Sequence, residues 1–543
     1  MAGQRGQVST PYYTPAQTPL SPAMGAAPPS ATASVLPAGH APGGKAKRRR
    51  VATFWHSASK TLKGQFFVLA TVGALLALVL ALFTSQSVGR ASLDLDTVAS
   101  GSIPSVDAAQ ALGQYIDDID AKAADYLATA ALTSSEPCSL VGPHNTTRDL
   151  GTKTVHDCDK LNIDAEIILT NQQLFNAAHN VTYPGESTAV QRITAGFEEY
   201  VGYMTVMEHE FDQVANKSDN NDPHFKAAYD AYRAASTVLH THIQRQPNLD
   251  ESALPTCTIG VDGHTASPNQ WVYGGIDDNI DCLSNINYTH LQGAYSDMQG
   301  FLGLTITFCI VLCLLFCALL IFTTLRMALI THRVINVGLS LALLAGIVFS
   351  LTVVNLFTGL AGDHGAFGQM VRDDYDSVFY ADQLKRYGTN ANADESRWLV
   401  ALAFKDSENA NHWVTDWQTN TKQVERLIVR ADSNRTWPEE NQPVIDMQYN
   451  WHTYTDIDGQ IRQKAQAGDL LAAEQLSTGK SNEAFGNFSN AVDALSKANY
   501  NHYYDTWHTT QSALNTYILL CALFFPLSGL LAVWGISRRL RDF

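Results

Sequence analysis

The stretch FFVLATVGALLALVLALFT, residues 66–84, decides the fold because it contains no charged residue. A helix needs about 20 apolar residues to cross the roughly 30 Å of bilayer hydrocarbon. Three further uncharged apolar runs follow, at residues 301–322, 334–360 and about 513–536. Soluble core helices seldom stay uncharged over such lengths, so the sequence predicts four transmembrane helices.

Basic residues indicate which connecting segments are cytoplasmic, because Lys and Arg are retained on that side of the membrane. Residues 1–64 hold eight basic residues and no acid, 324–333 hold two, and 537–543 hold three against one acid. These segments carry a net charge of +12, and because the whole chain carries −16, the remainder carries −28. We expect a multi-pass protein of the cell membrane with both termini in the cytoplasm.

The predicted fold class is all-α, with four transmembrane helices, two extracytoplasmic helical bundles and a disordered N-terminal tail. The predicted order is a cytoplasmic tail over 1–64, span one over 65–85, a first bundle over 86–300, span two over 301–323, a cytoplasmic loop over 324–333, span three over 334–360, a second bundle over 361–512, span four over 513–536 and a cytoplasmic C-terminus over 537–543. The tail is rich in Pro, Ala, Gly, Ser and Thr, a composition that buries too little apolar surface to fold.

Apolar residues spaced alternately three and four apart predict the helices of both bundles, because that spacing keeps one stripe on one face. In the first bundle the clearest runs begin at Leu112 and Val190. Five helical segments between two spans leave one connection that must return along the bundle. Residues 247–274 are long enough to make this return, and the sequence does not exclude another solution. In the second bundle we expect helices over 367–387, 396–431, 443–467 and 485–510.

Four cysteines lie in the first bundle and four in the spans. An oxidising compartment favours disulfides among Cys138, Cys158, Cys257 and Cys282, which allow three connectivities. We favour Cys138 with Cys158 and Cys257 with Cys282, because each bond then closes one loop. Two reduced pairs are the alternative.

The segment TVASGSIP, residues 97–104, follows span one and precedes an Ala-rich amphipathic helix over 105–132. This arrangement resembles the four-helix-bundle sensor module of bacterial chemoreceptors, with its plan present twice. The resemblance implies that bundles outside the cell act on the cytoplasm through continuous helices. The sequence departs from that family because it shows no linker module, methyl-accepting coiled coil, kinase domain or cyclase domain.

The plan of the whole chain looks like that of the GlnX-type membrane protein of actinobacteria. That resemblance implies a relay from an amino-acid-binding lipoprotein to a soluble Ser/Thr kinase. The sequence therefore favours a membrane sensor or signalling adaptor, and a structural or assembly scaffold of the cell envelope is the alternative. The expected partners are membrane lipid, an extracytoplasmic binding protein or small ligand, and a cytoplasmic Ser/Thr kinase; we also expect a homo-oligomer.

The sequence contains no Gly-rich phosphate loop, nucleophile elbow or zinc-spaced set of Cys and His. We therefore expect no enzyme and no cofactor, and we expect no nucleic-acid partner. The spans hold no Asp, Glu, Lys or Arg, which ion-coupled transporters usually keep at mid-membrane. Transport is accordingly a distant third function.

Small residues recur every four positions in three spans, a spacing that allows helix backbones to approach closely in lipid. The predicted packing residues are Gly73, Ala77 and Ala81 in span one, Cys309, Cys313 and Cys317 in span two, and Gly338, Ala342 and Gly346 in span three. For the cysteines, a redox or metal role is the alternative to packing.

Tryptophans are concentrated in the second bundle. Contact surfaces favour this residue, so we treat Trp413, Trp417, Trp437 and Trp451 as a candidate docking surface, with core packing as the alternative.

The tail places four hydroxyl residues before prolines, which makes them candidate phosphorylation sites: Thr10, Thr14, Thr18 and Ser21. Each phosphate would add about −1.5 to −2 charges and would compete for the basic cluster at residues 45–50, which is otherwise attracted to anionic lipid. Chance pairing in a Pro-rich and Thr-rich tail is the alternative.

Overall fold

A computed structural model describes residues 61–130, 135–142, 146–217, 219–240, 257–259, 264–266, 274–332 and 336–541. The predicted tail lies almost wholly outside these residues, and with it the candidate phosphorylation sites. The chain divides into the units Met1–Gln65 and Phe66–Phe543, and the second unit holds nearly all the described structure. Within the described residues the fold is mostly helical, with two small two-stranded sheets.

Four helices are long and apolar enough to cross a membrane. They are α1 (Leu62–Thr97), α6 (Ile276–Thr331), α7 (Val337–Leu360) and α12 (Asn482–Leu540). Each contains all or most of one of the uncharged runs. Large apolar side chains such as Leu75, Leu314 and Leu351 are more than half exposed there. The prediction of four helices long and apolar enough to span a membrane is therefore confirmed.

Small residues lie where these four helices approach one another. A Cβ added to Gly338 of α7 would lie 2.5 Å from the Cα of Gly535 in α12. A Cβ added to Gly529 of α12 would lie 2.9 Å from the Cβ of Ala77 in α1. Because such separations exclude a larger side chain, glycine is required at both crossings.

The other predicted packing residues lie along the same contacts. A Cβ on Gly346 would lie 2.9 Å from the ring of Phe316 in α6, and a Cβ on Gly73 would lie 3.9 Å from Leu319. Ala81, Ala342, Cys309 and Cys313 are buried, whereas Cys317 is half-buried. The Sγ atoms of Cys309 and Cys313 lie 4.0 Å apart.

The first bundle consists of α2 (Ile103–Ala128), α3 (Val155–His179), α4 (Glu186–Asp212), α5 (Pro223–His240) and the first half of α6. Its core is formed by the predicted stripes, including Leu112, Ile116, Val190 and Phe197. Thr154 caps α3, because its side chain accepts a hydrogen bond from the N–H of Asp157.

A β-hairpin precedes α3, and the all-α prediction did not include it. Strand β1 (Ser135–Gly142) pairs antiparallel with β2 (Thr146–Thr154), with a register shift between Pro137 and Ser139. Cys138 of β1 is disulfide-bonded to Cys158 of α3, with 5.7 Å between the Cα atoms, as predicted. The bond joins the hairpin to the first turns of α3.

Cys282 is also disulfide-bonded. Its expected partner, Cys257, begins strand β3 (Cys257–Ile259), which pairs with β4 (His264–Ala266) and lies against α6. The side chains of these two strands are outside the described part of the structure, so this pairing stays a prediction.

The five helical segments of the first bundle form only four columns. The start of α5 packs against the end of α4, through Phe225 and Phe211. The start of α6 lies beside the end of α5, since a Cβ on Gly275 would lie 2.3 Å from the carbonyl oxygen of Leu239. Helices α5 and α6 therefore follow one another in one column, and a return along the bundle by residues 247–274 is not needed.

The second bundle consists of α8 (Asp376–Ala403), α9 (Ser407–Ser433), α10 (Asn441–Gln466), α11 (Leu470–Leu476) and the first half of α12. The predicted break between residues 387 and 396 is wrong, because α8 continues to Ala403. Gly388 fits inside this helix, where a Cβ would lie 2.7 Å from the ring of Phe488. The chain turns instead at Lys405, with φ of 58°, and Asp406 caps α9.

Both bundles lie at the same end of the four spanning helices, because α2 packs along α8. The first helix of each bundle is preceded by a π-helical segment, Val98–Ser102 before α2 and Gln369–Tyr375 before α8. The two halves of the chain thus repeat one plan: a span, a π-helical segment, a four-column bundle and a helix that continues into the next span.

Candidate functional site

The contact between the two bundles contains buried charged side chains, and we call it the bundle interface. Helix α2 supplies Asp117 and Asp120, which are both fully buried. Helix α8 supplies Arg386 and Arg397, which lie eleven residues apart and therefore on one helical face. Buried charges are rare unless they are paired, so the pairing across this interface determines how the bundles fit together.

Arg397 is the more buried of the two arginines, with 2% of its surface exposed against 8% for Arg386. Its Nε donates to Oδ2 of Asp120 at 2.9 Å, its Nη2 donates to the same oxygen, and its Nη1 donates to Asp394 at 2.7 Å. The guanidinium also lies over the ring of Trp413, with 4.9 Å from Cζ to the ring centroid. One arginine of the second bundle is thus held by a carboxylate of the first.

Asp120 receives further donors from the first bundle. The hydroxyl groups of Tyr200 and Tyr232 donate to it at 3.2 and 3.3 Å, and Nε2 of His240 lies 3.3 Å from it. Although burial raises the pKa of Asp120, the charge of Arg397 and the hydrogen bond from His240 outweigh it and hold the pKa below the usual range. Asp120 is therefore ionised, and it anchors the interface from the first bundle.

Arg386 makes the second set of contacts across the interface. Its Nε donates to Asp117 at 3.1 Å and its Nη1 donates to Asp281 at 2.7 Å, while Nη2 lies 3.7 Å from Asp277. Gly113 makes room for it, since a Cβ there would lie 2.5 Å from the Nε of Arg386. Arg386 therefore bridges α2 and α6 of the first bundle.

His240 connects the two arginine sites, because its Nδ1 lies 2.8 Å from Asp277 and its Nε2 faces Asp120. Burial and the charge of Arg397 favour the neutral imidazole, but hydrogen bonds to Asp120 and Asp277 outweigh them and raise the pKa of His240 to about 10. His240 is thus a third cation of the interface at neutral pH.

The bundle interface contains more acidic than basic side chains. Protons held by some of the carboxyl groups reduce the excess of negative charge. Burial, and then the nearby charge of Asp277, raise the pKa of Asp117 well above its usual value. Asp117 and Asp277 each retain one buried oxygen with no hydrogen-bond donor. A proton held by Asp117 can be donated in a hydrogen bond to the neighbouring Asp277. Burial likewise raises the pKa of Asp394 to about 6.

A second contact region lies nearer the spans, and we call it the collar. The hydroxyl of Tyr375, which ends one π-helical segment, donates to Asp107 of α2 at 2.8 Å. The hydroxyl of Tyr503 in α12 donates to the carbonyl of Ala99 in the other π-helical segment at 3.2 Å. The ring of Tyr375 also lies 6.2 Å from that of Tyr503, so the collar joins both π-helical segments to α12. Segments of this kind often occur at functional sites.

The tryptophans predicted as a docking surface do not form one exposed surface. Trp413 and Trp451 are buried, with 8% and 4% of their surface exposed, and Trp417 and Trp437 are half-buried. Trp413 packs against Arg397, and the indole nitrogen of Trp437 donates to Asp374 at 2.8 Å. These side chains contribute to the core and to the bundle interface.

Five interface residues were not among those predicted from the sequence: Asp117, Asp120, His240, Arg386 and Arg397. One signal was present: Asp117 and Asp120 stand among the buried stripe residues Ile116 and Ile119, where a solvated helix face would not be expected. The partners on α8 could not be inferred, because nothing in the sequence brings the two bundles together.

Among the described side chains, no three His, Cys, Asp or Glu residues are arranged to hold a metal ion. The bundle interface offers paired charges and carboxyl groups that can hold protons. No family model, curated protein or solved structure matches this chain.

Proposed function

We propose that this protein is a membrane sensor or signalling adaptor whose two extracytoplasmic bundles respond as one unit and relay to a separate cytoplasmic partner. One observation carries the proposal: α6 and α12 run unbroken from the bundles into spans two and four, as Ile276–Thr331 and Asn482–Leu540. A continuous helix transmits a displacement of its bundle end along its length.

The displacement would begin at the bundle interface, which contacts both continuous helices. Arg386 contacts Asp281 within α6, and Asp125 of α2 accepts a hydrogen bond from Asn482, the first residue of α12. A ligand or binding protein that changes the fit of the two bundles would therefore act on both continuous helices. Because packed interfaces favour discrete arrangements, such a change would reach the spans as a shift rather than be absorbed locally.

The charge asymmetry supports the proposed orientation. The basic segments at 1–64, 324–333 and 537–543 favour the cytoplasm, and the acidic bundles favour the other side. The input would then be an extracytoplasmic binding protein or small ligand. The output would reach a cytoplasmic Ser/Thr kinase, as the resemblance to the GlnX-type protein implies.

Crosslinking of intact cells followed by affinity capture of the full chain tests the class of function. A cytoplasmic Ser/Thr kinase among the captured proteins supports a relay. Capture of envelope components alone would refute the relay and would favour a scaffold.

The relay itself is tested by loosening the interface with Arg397→Met and measuring the phosphorylation state of the captured kinase. Inserting Gly-Gly after Gln299 of α6 should reduce the effect of Arg397→Met, because the helix is interrupted between bundle and span. A matched Gly-Gly insertion after Gly468, in the turn between α10 and α11, should leave the effect intact. Equal effects of the two insertions would contradict relay through span two.

A further inference from the structure

One face of α12 changes from polar to apolar where the helix enters span four. A shallow groove on this face, open to its surroundings, is lined by six residues that all belong to α12: His508, Gln511, Ser512, Asn515, Thr516 and Leu519. Their separations of one, three or four residues place them along a single side of the helix. We call this feature the α12 groove.

The same face continues into the span as a line of exposed leucines. Leu519, Leu523 and Leu530 each have about two-thirds of their surface exposed, at 66%, 65% and 65%. No Asp, Glu, Lys or Arg occurs between Asp505 and Arg538, so the polar part of the groove occupies the bundle-side end of the uncharged run. Polar side chains at head-group depth followed by leucines at acyl-chain depth match the long axis of a lipid molecule.

The polar part of the groove has a specific hydrogen-bonding character. It presents amides and hydroxyls, which both donate and accept, and no Lys or Arg that would favour a phosphate. The Nε2 of Gln511 donates to Ser92 of α1 at 3.0 Å, while its Oε1 is buried without a donor among the described residues. The buried indole nitrogen of Trp507 has no acceptor among them either.

Aromatic rings border the groove on its bundle side. The ring of His508 lies 4.1 Å from that of Tyr504 and 4.5 Å from that of Trp507, measured between centroids. Side-chain amides and hydroxyls beside aromatic rings suit a polyhydroxylated ring, whose hydroxyls pair with the polar groups and whose C–H face packs on the aromatic rings.

We propose that the α12 groove binds a glycolipid of the leaflet on the bundle side, with the sugar head group at residues 508–516 and an acyl chain along Leu519, Leu523 and Leu530. The leucine line selects a lipid over a free sugar, because a soluble sugar would leave the apolar part of the groove unused. The amide and hydroxyl lining selects a sugar head group over a phosphate or choline head group.

The test uses the full chain, purified in a detergent without a sugar head group and examined by native mass spectrometry. The added lipids are a diglycosyl diacylglycerol and a phosphatidylcholine with the same acyl chains; a soluble disaccharide is the third probe. We expect the glycolipid to be retained about tenfold more than phosphatidylcholine, a ratio that corresponds to about 1.4 kcal/mol. The soluble disaccharide should not compete.

Asn515→Leu should abolish the preference, because it removes an amide from the centre of the groove. Asn355→Leu is the matched control, since Asn355 is an exposed amide near the bundle-side end of α7 and outside the groove. Ser512→Ala provides a second groove variant should Asn515→Leu fail to fold. Equal retention of the two lipids, competition by the disaccharide, or a preference that survives in the folded groove variants would each overturn the proposal.

Discussion

Replacing Arg397 by methionine should destabilise the protein more than any exposed substitution at the same interface. Arg397 is 2% exposed, and Asp120, its main partner, is fully buried. The variant leaves Asp120 buried with only His240 as a neighbouring cation, at 3.3 Å. Removing one member of a buried ion pair typically costs about 3–5 kcal/mol. Because His240 compensates part of the charge, we expect about 3 kcal/mol for Arg397→Met.

A double-mutant cycle separates the pair from general damage to packing. Asp120→Asn alone leaves Arg397 with Asp394 as its remaining carboxylate. The double variant Arg397→Met with Asp120→Asn removes both members of the pair, and Asp394 keeps the hydrogen bond from Asn420. The cost of the double variant should therefore be smaller than the sum of the single costs by at least about 1.5 kcal/mol, within the range measured for contacting pairs.

The free energy of unfolding of the full chain would be measured by denaturant titration in mixed micelles. Arg233→Met is the matched control, because Arg233 lies 3.6 Å from Asp406 across the same interface but has 48% of its side chain exposed. An exposed pair of this kind should contribute less than about 1 kcal/mol. Similar losses for Arg397→Met and Arg233→Met, or strictly additive costs in the cycle, would refute the reasoning.

Four further predictions follow from the fold. Burial raises the pKa of Asp394 to about 6, so between about pH 4 and 6 the folded state holds a proton that the unfolded state has lost. The free energy of unfolding of the wild type relative to Asp394→Asn should therefore fall as the pH rises through this range. A difference that stays constant with pH would exclude a raised pKa for Asp394. Gly338→Ala should cost about 1–3 kcal/mol because its Cβ would meet α12, whereas Gly359→Ala on the same helix has open space and should cost little. Replacing Cys138 and Cys158 by serine should cost about 3 kcal/mol in denaturant titration, since their disulfide closes a loop with a sequence separation of 20. Labels at positions 30 and 540 should be protected in intact cells and labels at 260 and 435 accessible; an accessible C-terminus would contradict the proposed topology.

The sequence by itself determined the elements that depend on local pattern. An uncharged run such as residues 66–84 has one stable environment, so four spanning helices could be inferred without a structure. The stripe through Leu112 and Ile116 is buried as its spacing predicted, because helical periodicity places those residues on one face. Cys138 and Cys158 are close in sequence and close a single loop, so their pairing could also be predicted from the sequence.

Only the tertiary structure decided how the two bundles meet. Arg386 and Arg397 are indistinguishable from solvated helix residues in the sequence, and they are separated by about 270 residues from Asp117 and Asp120. The end-to-end arrangement of α5 and α6 likewise depends on a contact between residues remote in sequence, Leu239 and Gly275. The continuity of α8 past Gly388 depends on the ring of Phe488, which lies against that glycine. Local pattern specifies which face of a helix is buried, whereas the partner of a buried charge is specified by contacts that form only when distant helices pack together.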